Sequence, residues 1–244
     1  GVFERLAALG PVAKAAGVML MPGVGFDIVP SDCLAAHMKR RLPEATLLTL
    51  NIQAIGRPSH GTTLTILESQ VQGAIRKGGK IVSVPPVWKT KVADCGHGPV
   101  KLTSFPWGDV SSAYHSTGIP GIEVYFAVPW SLRLLCQLNR YLPALMQARG
   151  LQSFLQQVVP GGGPDAAERE SGCVYLLGEA CDAAGQTLRT RLKTPEGYAL
   201  TVFTAWDIAR RTAAGAAQAG FRTPSMVFGA DYILEFAGTS REDC

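Results

Sequence analysis

The chain has 244 residues, of which 47% are hydrophobic and 17% charged, a balance that excludes a disordered segment and leaves room for one large core with an appendage. Its formal net charge of +4 comes from scattered lysines and arginines, so no basic tract points to a nucleic-acid partner. No apolar stretch approaches the ~20 residues needed to span a bilayer, and no cleavable leader pattern opens the chain, which predicts a soluble, cytoplasmic protein.

Taken in order, Phe3 to Ala16 has helical periodicity interrupted at Gly10-Pro11, and the spacing predicts a second helix from Pro11 to Gly17. Val18 to Met21 then reads as a short buried strand. Two glycines, Gly23 and Gly25, follow, and Ser31 to Leu42 repeats apolar residues at helical spacing. Pro30 suits a first helical position, and Ser31 and Asp32 could offer capping oxygens to the first turn. Lys39-Arg40-Arg41 at the helix end complements the helix dipole.

From Thr46 to Ile55 apolar residues alternate with Thr49, Asn51 and Gln53, the pattern of a strand with one covered face. Thr62 or Thr63 is expected to cap a helix reaching Lys77, with Leu67, Val71, Ala74 and Ile75 as its stripe and Gly78-Gly79 as its stop. Strands are expected over Lys80–Val84, Val100–Phe105, Ser111–Ser116 and Ile122–Val128. Trp130–Leu145 and Leu151–Val158 read as helices. Gly161-Gly162-Gly163 is a linker, because a polar segment follows its glycines rather than a packed helix.

Cys173–Cys181 and Thr187–Leu192 flank a turn-rich connection and predict an antiparallel hairpin. Tyr198–Phe203 reads as a strand, Thr204–Ala219 as a helix, and the segment from Thr223 to Phe236 as a short helix or strand. The polar end from Gly238 to Cys244 is expected to fray. The six cysteines form no C-x-x-C pair and read as free thiols; Cys95 and His97 lack the further ligands of a zinc site, so no metal is expected. The fold class that follows is α/β to α+β: a mixed β-sheet covered by helices, preceded by the remnant of a Rossmann-like unit. The divisions fall at residues 1–43, 44–203 and 204–244.

At the glycine turn, Gly23, Gly25, Phe26, Asp27 and Ser31 are the candidates for cofactor contact, since glycines at a strand-to-helix junction let an anion approach the main chain. The dinucleotide fingerprint itself is broken, because Ile28 stands where a third glycine belongs. On residues alone, a structural tight turn is the better reading. A second polar group, Asp109, Tyr114, His115 and Ser116, contains a histidine able to move a proton near neutral pH. His115, Tyr114 and Asp109 are therefore the catalytic candidates. The absence of a nucleophile elbow, a zinc-protease motif and a phosphate loop argues against hydrolase and kinase chemistry.

Three stretches together carry a resemblance: Pro22-Gly23-Val24-Gly25-Phe26-Asp27-Ile28-Val29-Pro30-Ser31-Asp32, Phe105-Pro106-Trp107-Gly108-Asp109-Val110 with Tyr114-His115-Ser116-Thr117-Gly118-Ile119-Pro120, and Gly220-Phe221-Arg222-Thr223-Pro224-Ser225. In this order they resemble the saccharopine dehydrogenase-like oxidoreductases, including their trans-acting enoyl reductase relatives. The resemblance implies the C-terminal portion of such an enzyme, shaping the substrate pocket and contacts of a homodimer. NADP or NAD would be held mainly by a preceding domain, and these residues alone would be inactive. The alternative is a non-catalytic binding or scaffold protein that keeps the fold.

Overall fold

The computed structural model describes residues 1–63, 73–130, 133–134, 137, 141 and 162–244. The chain opens with α1 (Val2–Ala8) and α2 (Gly10–Ala15), separated at Leu9, so that the expected break falls one residue earlier and Gly10-Pro11 open the second helix. Gly17, at φ +70°, then turns the chain into β1 (Met19–Leu20). Helix α3 (Val29–Arg41) carries Pro30 in its first turn and ends one residue before Leu42.

A mixed sheet of nine strands forms the body of the molecule. Its strands are β2 (Ala45–Ile55), β3 (Gly73–Lys77), β4 (Lys80–Val84), β5 (Thr90–Asp94), β6 (Pro99–Ser104), β7 (Gly121–Phe126), β8 (Cys173–Asp182), β9 (Thr187–Pro195) and β11 (Ser240–Asp243). The main path runs β11-β9-β8-β2-β7-β3-β4, and β6 carries β5 off β7. Among the described residues, only β2 and β7 are parallel neighbours in it. One face holds Leu48, Leu50, Ile52, Ile122, Val124, Leu176 and Leu192, covered by α3 through Leu34 and Met38 and by helix α4 (Asp109–Thr117) through Val110 and Ala113. Gly178 leaves the space that Leu34 and Met38 fill, each 3.2 Å from where a Cβ would stand.

The opposite face is closed in part by the β5–β6 hairpin, which brings Cys95 and Leu102 onto Tyr125 and Leu177. At its tip His97 stacks on Tyr175, and Asp94 pairs with Arg191 at 3.2 Å. This cover explains why Asn51 and Gln53, read as the solvent side of β2, are buried. Asn51 donates to Leu177 O and to Glu179 at 2.9 and 3.0 Å.

The remaining elements are the short α5 (Ala166–Ser171), then α6 (Gly197–Arg211) with a π-helical turn at Thr212–Ala216, β10 (Gly220–Phe221), α7 (Pro224–Phe228) and a 3-10 turn at Tyr232–Glu235. β10 pairs in parallel with β1, forming a separate two-stranded sheet.

Several sequence expectations give way to tertiary structure. Residues 73–77, assigned by periodicity to the end of a helix, form β3. Gly78 and Gly79, at φ +56° and +76°, are the two-residue turn of a hairpin pairing Lys77 with Lys80, the arrangement that suits a right-handed strand twist. Ser59, not Thr62 or Thr63, caps the helical residues 60–63, accepting from Thr62 N at 3.1 Å. Ser111–Ser116 is helical, within α4, closed by Gly118 in the left-handed conformation. Tyr198–Phe203 belongs to α6, started by Glu196, whose carboxylate accepts from Ala199 N at 2.9 Å. Tertiary packing of Leu200, Thr204 and Ile208 on one stripe outweighs the strand preference of Val202 and Phe203, which are exposed.

The chain end does not fray. β11 pairs with Thr190–Lys193, and Asp243 reaches His37 at 2.9 Å, Arg41 at 3.0 Å and Thr190 at 2.7 Å. The basic end of α3 thus serves as a cap and an anchor: Lys39 donates to Pro43 O, and Arg40 pairs with Asp231. The helices expected at Trp130–Leu145 and Leu151–Val158 lie largely outside the described residues, and Gly161 of the glycine linker does too. The five described cysteines are free. Among the described residues, no helix is long and apolar enough to cross a membrane, and no group of acidic, histidine or cysteine side chains could hold a metal.

Candidate functional site

The glycine turn lies between β1 and α3, against the first turns of α6. Neither Gly23 nor Gly25 has a positive φ, so glycine is required there for space and not for backbone conformation. A Cβ on Gly23 would stand 2.5 Å from Ile28 Cγ1, and one on Gly25 would stand 2.8 Å from Thr201 Cγ2. Phe26 N donates to Thr201 Oγ1 at 3.0 Å, and the Phe26 ring fills the space beside Gly197. Ser31 and Asp32 make no capping bond: their side chains turn inward, leaving the start of α3 to Gly25 O, which accepts from Val29 N at 2.9 Å.

A pyrophosphate cradle needs open space beside glycine and free amides. In this turn side chains fill the space where a Cβ on either glycine would stand, and the Phe26 amide is engaged by Thr201. Asp27 projects from the group at the edge of solvent, only partly covered.

The Trp107–Pro120 segment meets this turn directly. Trp107 Nε1 donates to Asp27 O at 2.8 Å, and Gly108 leaves room for Ile28 Cδ1, 2.7 Å from where its Cβ would lie. Trp107 also joins Phe105 and Phe126 in a half-buried aromatic group, its ring centroid 4.7 Å from that of Phe126. This group sits at the carboxyl end of β7, where Phe126 pairs with Ile52 of the parallel strand β2 and with Thr103 of the antiparallel strand β6.

Below it lies a sealed polar junction. Ser31 Oγ donates to Asp109 Oδ1 at 2.7 Å, with Ser112 Oγ at 3.4 Å from the same oxygen. Asp32 Oδ2 accepts from Ser225 N at 2.7 Å. Both carboxylates are fully buried, and each keeps one oxygen without a hydrogen-bond partner. The three stretches that carry the sequence resemblance therefore converge on one point, through Ser31-Asp32, Gly108-Asp109 and Pro224-Ser225. Burial pushes the Asp109 carboxyl up to about 8, with the neighbouring charge of Asp32 adding to the effect. Burial also raises Asp32, opposed by its hydrogen bonds.

The other catalytic candidates point elsewhere. On α4, residues 109, 112 and 116 follow one stripe, and 111, 114 and 115 another, a separation that reading the segment as a strand obscures. His115 Nε2 lies 3.5 Å from Glu4 Oε1, and its ring meets Phe221 edge-on at 4.9 Å. Burial lowers its pKa, and the Glu4 charge works against that shift. Tyr114 lies under the Arg76 guanidinium, 4.0 Å from ring centroid to Cζ. Ser116, in contrast, shares the Asp109 stripe: it donates to carbonyls of its own helix and its hydroxyl also faces Asp32. Asp109 is thus separated from the Tyr114–His115 side of the helix.

Glu4, Arg76 and Thr201 hold this region together, and sequence reasoning misses all three. Arg76 is almost wholly buried and donates to Val110 O, Gly79 O and Glu4 Oε1, while Ser111 donates to the same Glu4 oxygen at 2.6 Å. Nothing in the run Gly73 to Lys77 marks Arg76 as an interior residue.

Gly25→Ala is expected to destabilise the fold by about 1–2 kcal/mol in urea denaturation, because the new methyl displaces Thr201 and its bond to Phe26 N. Adding Thr201→Ser removes the Cγ2 obstacle while keeping the hydroxyl, and should return at least half of the loss. Equal losses in the single and double variants would show that Thr201 is not the obstacle.

No family model matches the chain, and no curated protein matches it in sequence. Among solved structures, the apo form of histidine-tagged saccharopine dehydrogenase (L-Glu forming) from Saccharomyces cerevisiae is similar over 97% of this chain and 76% of its own, with a TM-score of 0.58 and 12% identity. At that identity the likeness is one of fold: the mixed sheet and its helices are arranged as in a saccharopine dehydrogenase.

Proposed function

We propose that this chain supplies the substrate-binding and association part of a saccharopine dehydrogenase-like, NAD(P)-dependent oxidoreductase, with the dinucleotide held mainly by a separate cofactor-binding unit. The observation that carries the reading is the β1–β10 pair. Two parallel strands with α2 packed beside them are a minimal piece of an α/β sheet, and parallel sheets ordinarily occur with several strands and both faces covered. On this reading the pair continues a larger cofactor-binding sheet, and the mixed sheet forms the second unit. The sequence resemblance and the shared fold support it.

NADP or NAD would supply the hydride chemistry when bound. Gly23, Gly25, Phe26 and Ser31 act behind the surface, shaping the turn that presents Asp27 beside Trp107. A small-molecule substrate and a homodimer in the cytoplasm complete the proposal, with no nucleic acid or membrane as partner. His115 and Tyr114 then position α1 against α4, and Asp109 has a structural place in the junction.

On this division of labour the 244-residue chain binds NADPH only weakly. In calorimetry it should give no saturable heat at micromolar concentrations, and a micromolar Kd would overturn the proposal. In a complete enzyme carrying a cofactor domain, the Gly25→Ala/Thr201→Ser pair, chosen to recover stability, should raise the cofactor KM if the turn borders the cofactor. A second reading, a non-catalytic protein retaining the fold, is favoured by the sealing of Asp32 and Asp109 from solvent. Oxidation of NADPH by the complete protein across amino-acid and acyl substrates separates the two.

A further inference from the structure

The buried junction of α3, α4 and α7 contains two carboxylates and, among the described residues, no cation paired with them. Asp32 and Asp109 are both fully buried, and among the described residues neither forms an ion pair. The groups facing them are hydroxyls and one amide: Ser31 from α3, Ser112 and Ser116 from α4, and Thr223 and Ser225 at the start of α7. Asp27, a further charge acting on Asp109, has the same sign. Two uncompensated negative charges in so dry a place are far more costly than one.

The hydrogen bonds distinguish the two groups. Asp32 accepts a backbone N–H, fixed by the chain and unable to turn away, together with hydroxyl support, which suits an anion. Asp109 is met only by hydroxyls, and Ser31, its nearer donor, has Ile28 O as a competing acceptor at 3.1 Å. Asp109 Oδ2 is free to carry a hydrogen, and Asp32 Oδ1 retains an unused lone pair.

We propose that this junction is an internal proton-binding site: Asp109 holds a proton at neutral pH beside ionised Asp32, and that proton keeps α7 fastened to α3 and α4. The site is a product of the fold and does not rest on the oxidoreductase reading. When the proton leaves, two like charges face each other across α3 and α4, and the Ser225 anchor loosens.

The pH dependence has a definite sign. A carboxyl raised in the folded state means that the native protein holds a proton that the unfolded chain has already released. The Asp109 contribution to stability therefore falls as pH rises from the ordinary carboxylate range to about 8, by about tenfold in the folding equilibrium constant per pH unit, and then levels. His37 and His115, both lowered by burial, slope the other way below about pH 6.5, and the buried thiols of Cys33 and Cys95, both raised by burial, add a further fall above about pH 8.5, so the clean window lies between those values.

Urea denaturation of the intact chain between about pH 6.5 and about pH 8.5 should show this fall, and Asp109→Asn should flatten it. Infrared spectra of the native protein at neutral pH should contain a protonated-carboxyl band that disappears as the wild type is titrated past about 8, and Asp109→Asn should lack it from the start. Hydrogen exchange at the Ser225 amide should accelerate across the same interval beyond its intrinsic rise. A wild type with no such band, or with stability flat through the window, would overturn the proposal even if Asp109→Asn failed to fold.

Discussion

Replacing Arg76 with alanine is expected to lower the stability of the fold by about 4 kcal/mol, as judged by urea denaturation at neutral pH. The guanidinium is 3% exposed and supplies three fixed donors, to two backbone carbonyls and to Glu4. Its removal leaves Val110 O and Gly79 O without that donor, uncovers the Tyr114 ring and opens a void. Glu4, at 37% exposed, can return to water, so Glu4→Gln should cost only about 1 kcal/mol. Arg76→Lys should recover little, because one ammonium cannot reproduce a planar fork that serves three acceptors in different directions. A loss below about 1 kcal/mol in Arg76→Ala would mean that the surrounding carbonyls find other donors.

Gly23→Ala should cost about 3 kcal/mol, more than the same change at Gly25. The difference lies in what each methyl would meet. At Gly25 the obstacle is Thr201, a side chain on an exposed helix face; at Gly23 it is Ile28, buried between the turn and Gly108 and touched from both sides. Ile28 cannot step aside without striking Gly108, since its Cδ1 already fills that space. Ile28→Ala should be costly alone, yet combine with Gly23→Ala at less than the sum of the two losses. Relief would be partial, because the Ile28 Cβ itself lies 2.8 Å from the new methyl. Strict additivity of the two changes would refute this account.

What is legible in the sequence is mostly local. The period-two alternation of β2, the break just before Gly10-Pro11 and the hairpin of β8 and β9 follow from patterns that need no distant partner. The failures share one cause, a local signal that tertiary contacts override. Gly78-Gly79 can end a helix or turn a hairpin, and the pairing of β3 with β7 and β4 decides between them. Val202 and Phe203 favour a strand, but Glu196 and the stripe of Leu200, Thr204 and Ile208 make a helix.

The candidate site is legible as a neighbourhood and not as chemistry. The shared resemblance of the Gly23–Asp32 and Trp107–Asp109 stretches anticipates their meeting, and Trp107 and Ser31 provide the contacts. That Asp109 and His115 lie on different sides of one helix depends on reading 109–117 as helical. The roles of Glu4 and Arg76 depend on contacts across 72 positions, which no spacing rule within either segment contains.

The β1–β10 pair also sets a timetable for biosynthesis. Met19 finds its partner in Gly220, so during translation this strand must wait while some two hundred further residues are made. The edge of β9 waits longer still, since β11 is the last of these strands to leave the ribosome. Nascent chains stalled shortly before Gly220 should therefore display both edges unpaired and be recovered with holdase chaperones, and emergence of the chain through Asp243 should end that association in a single late step.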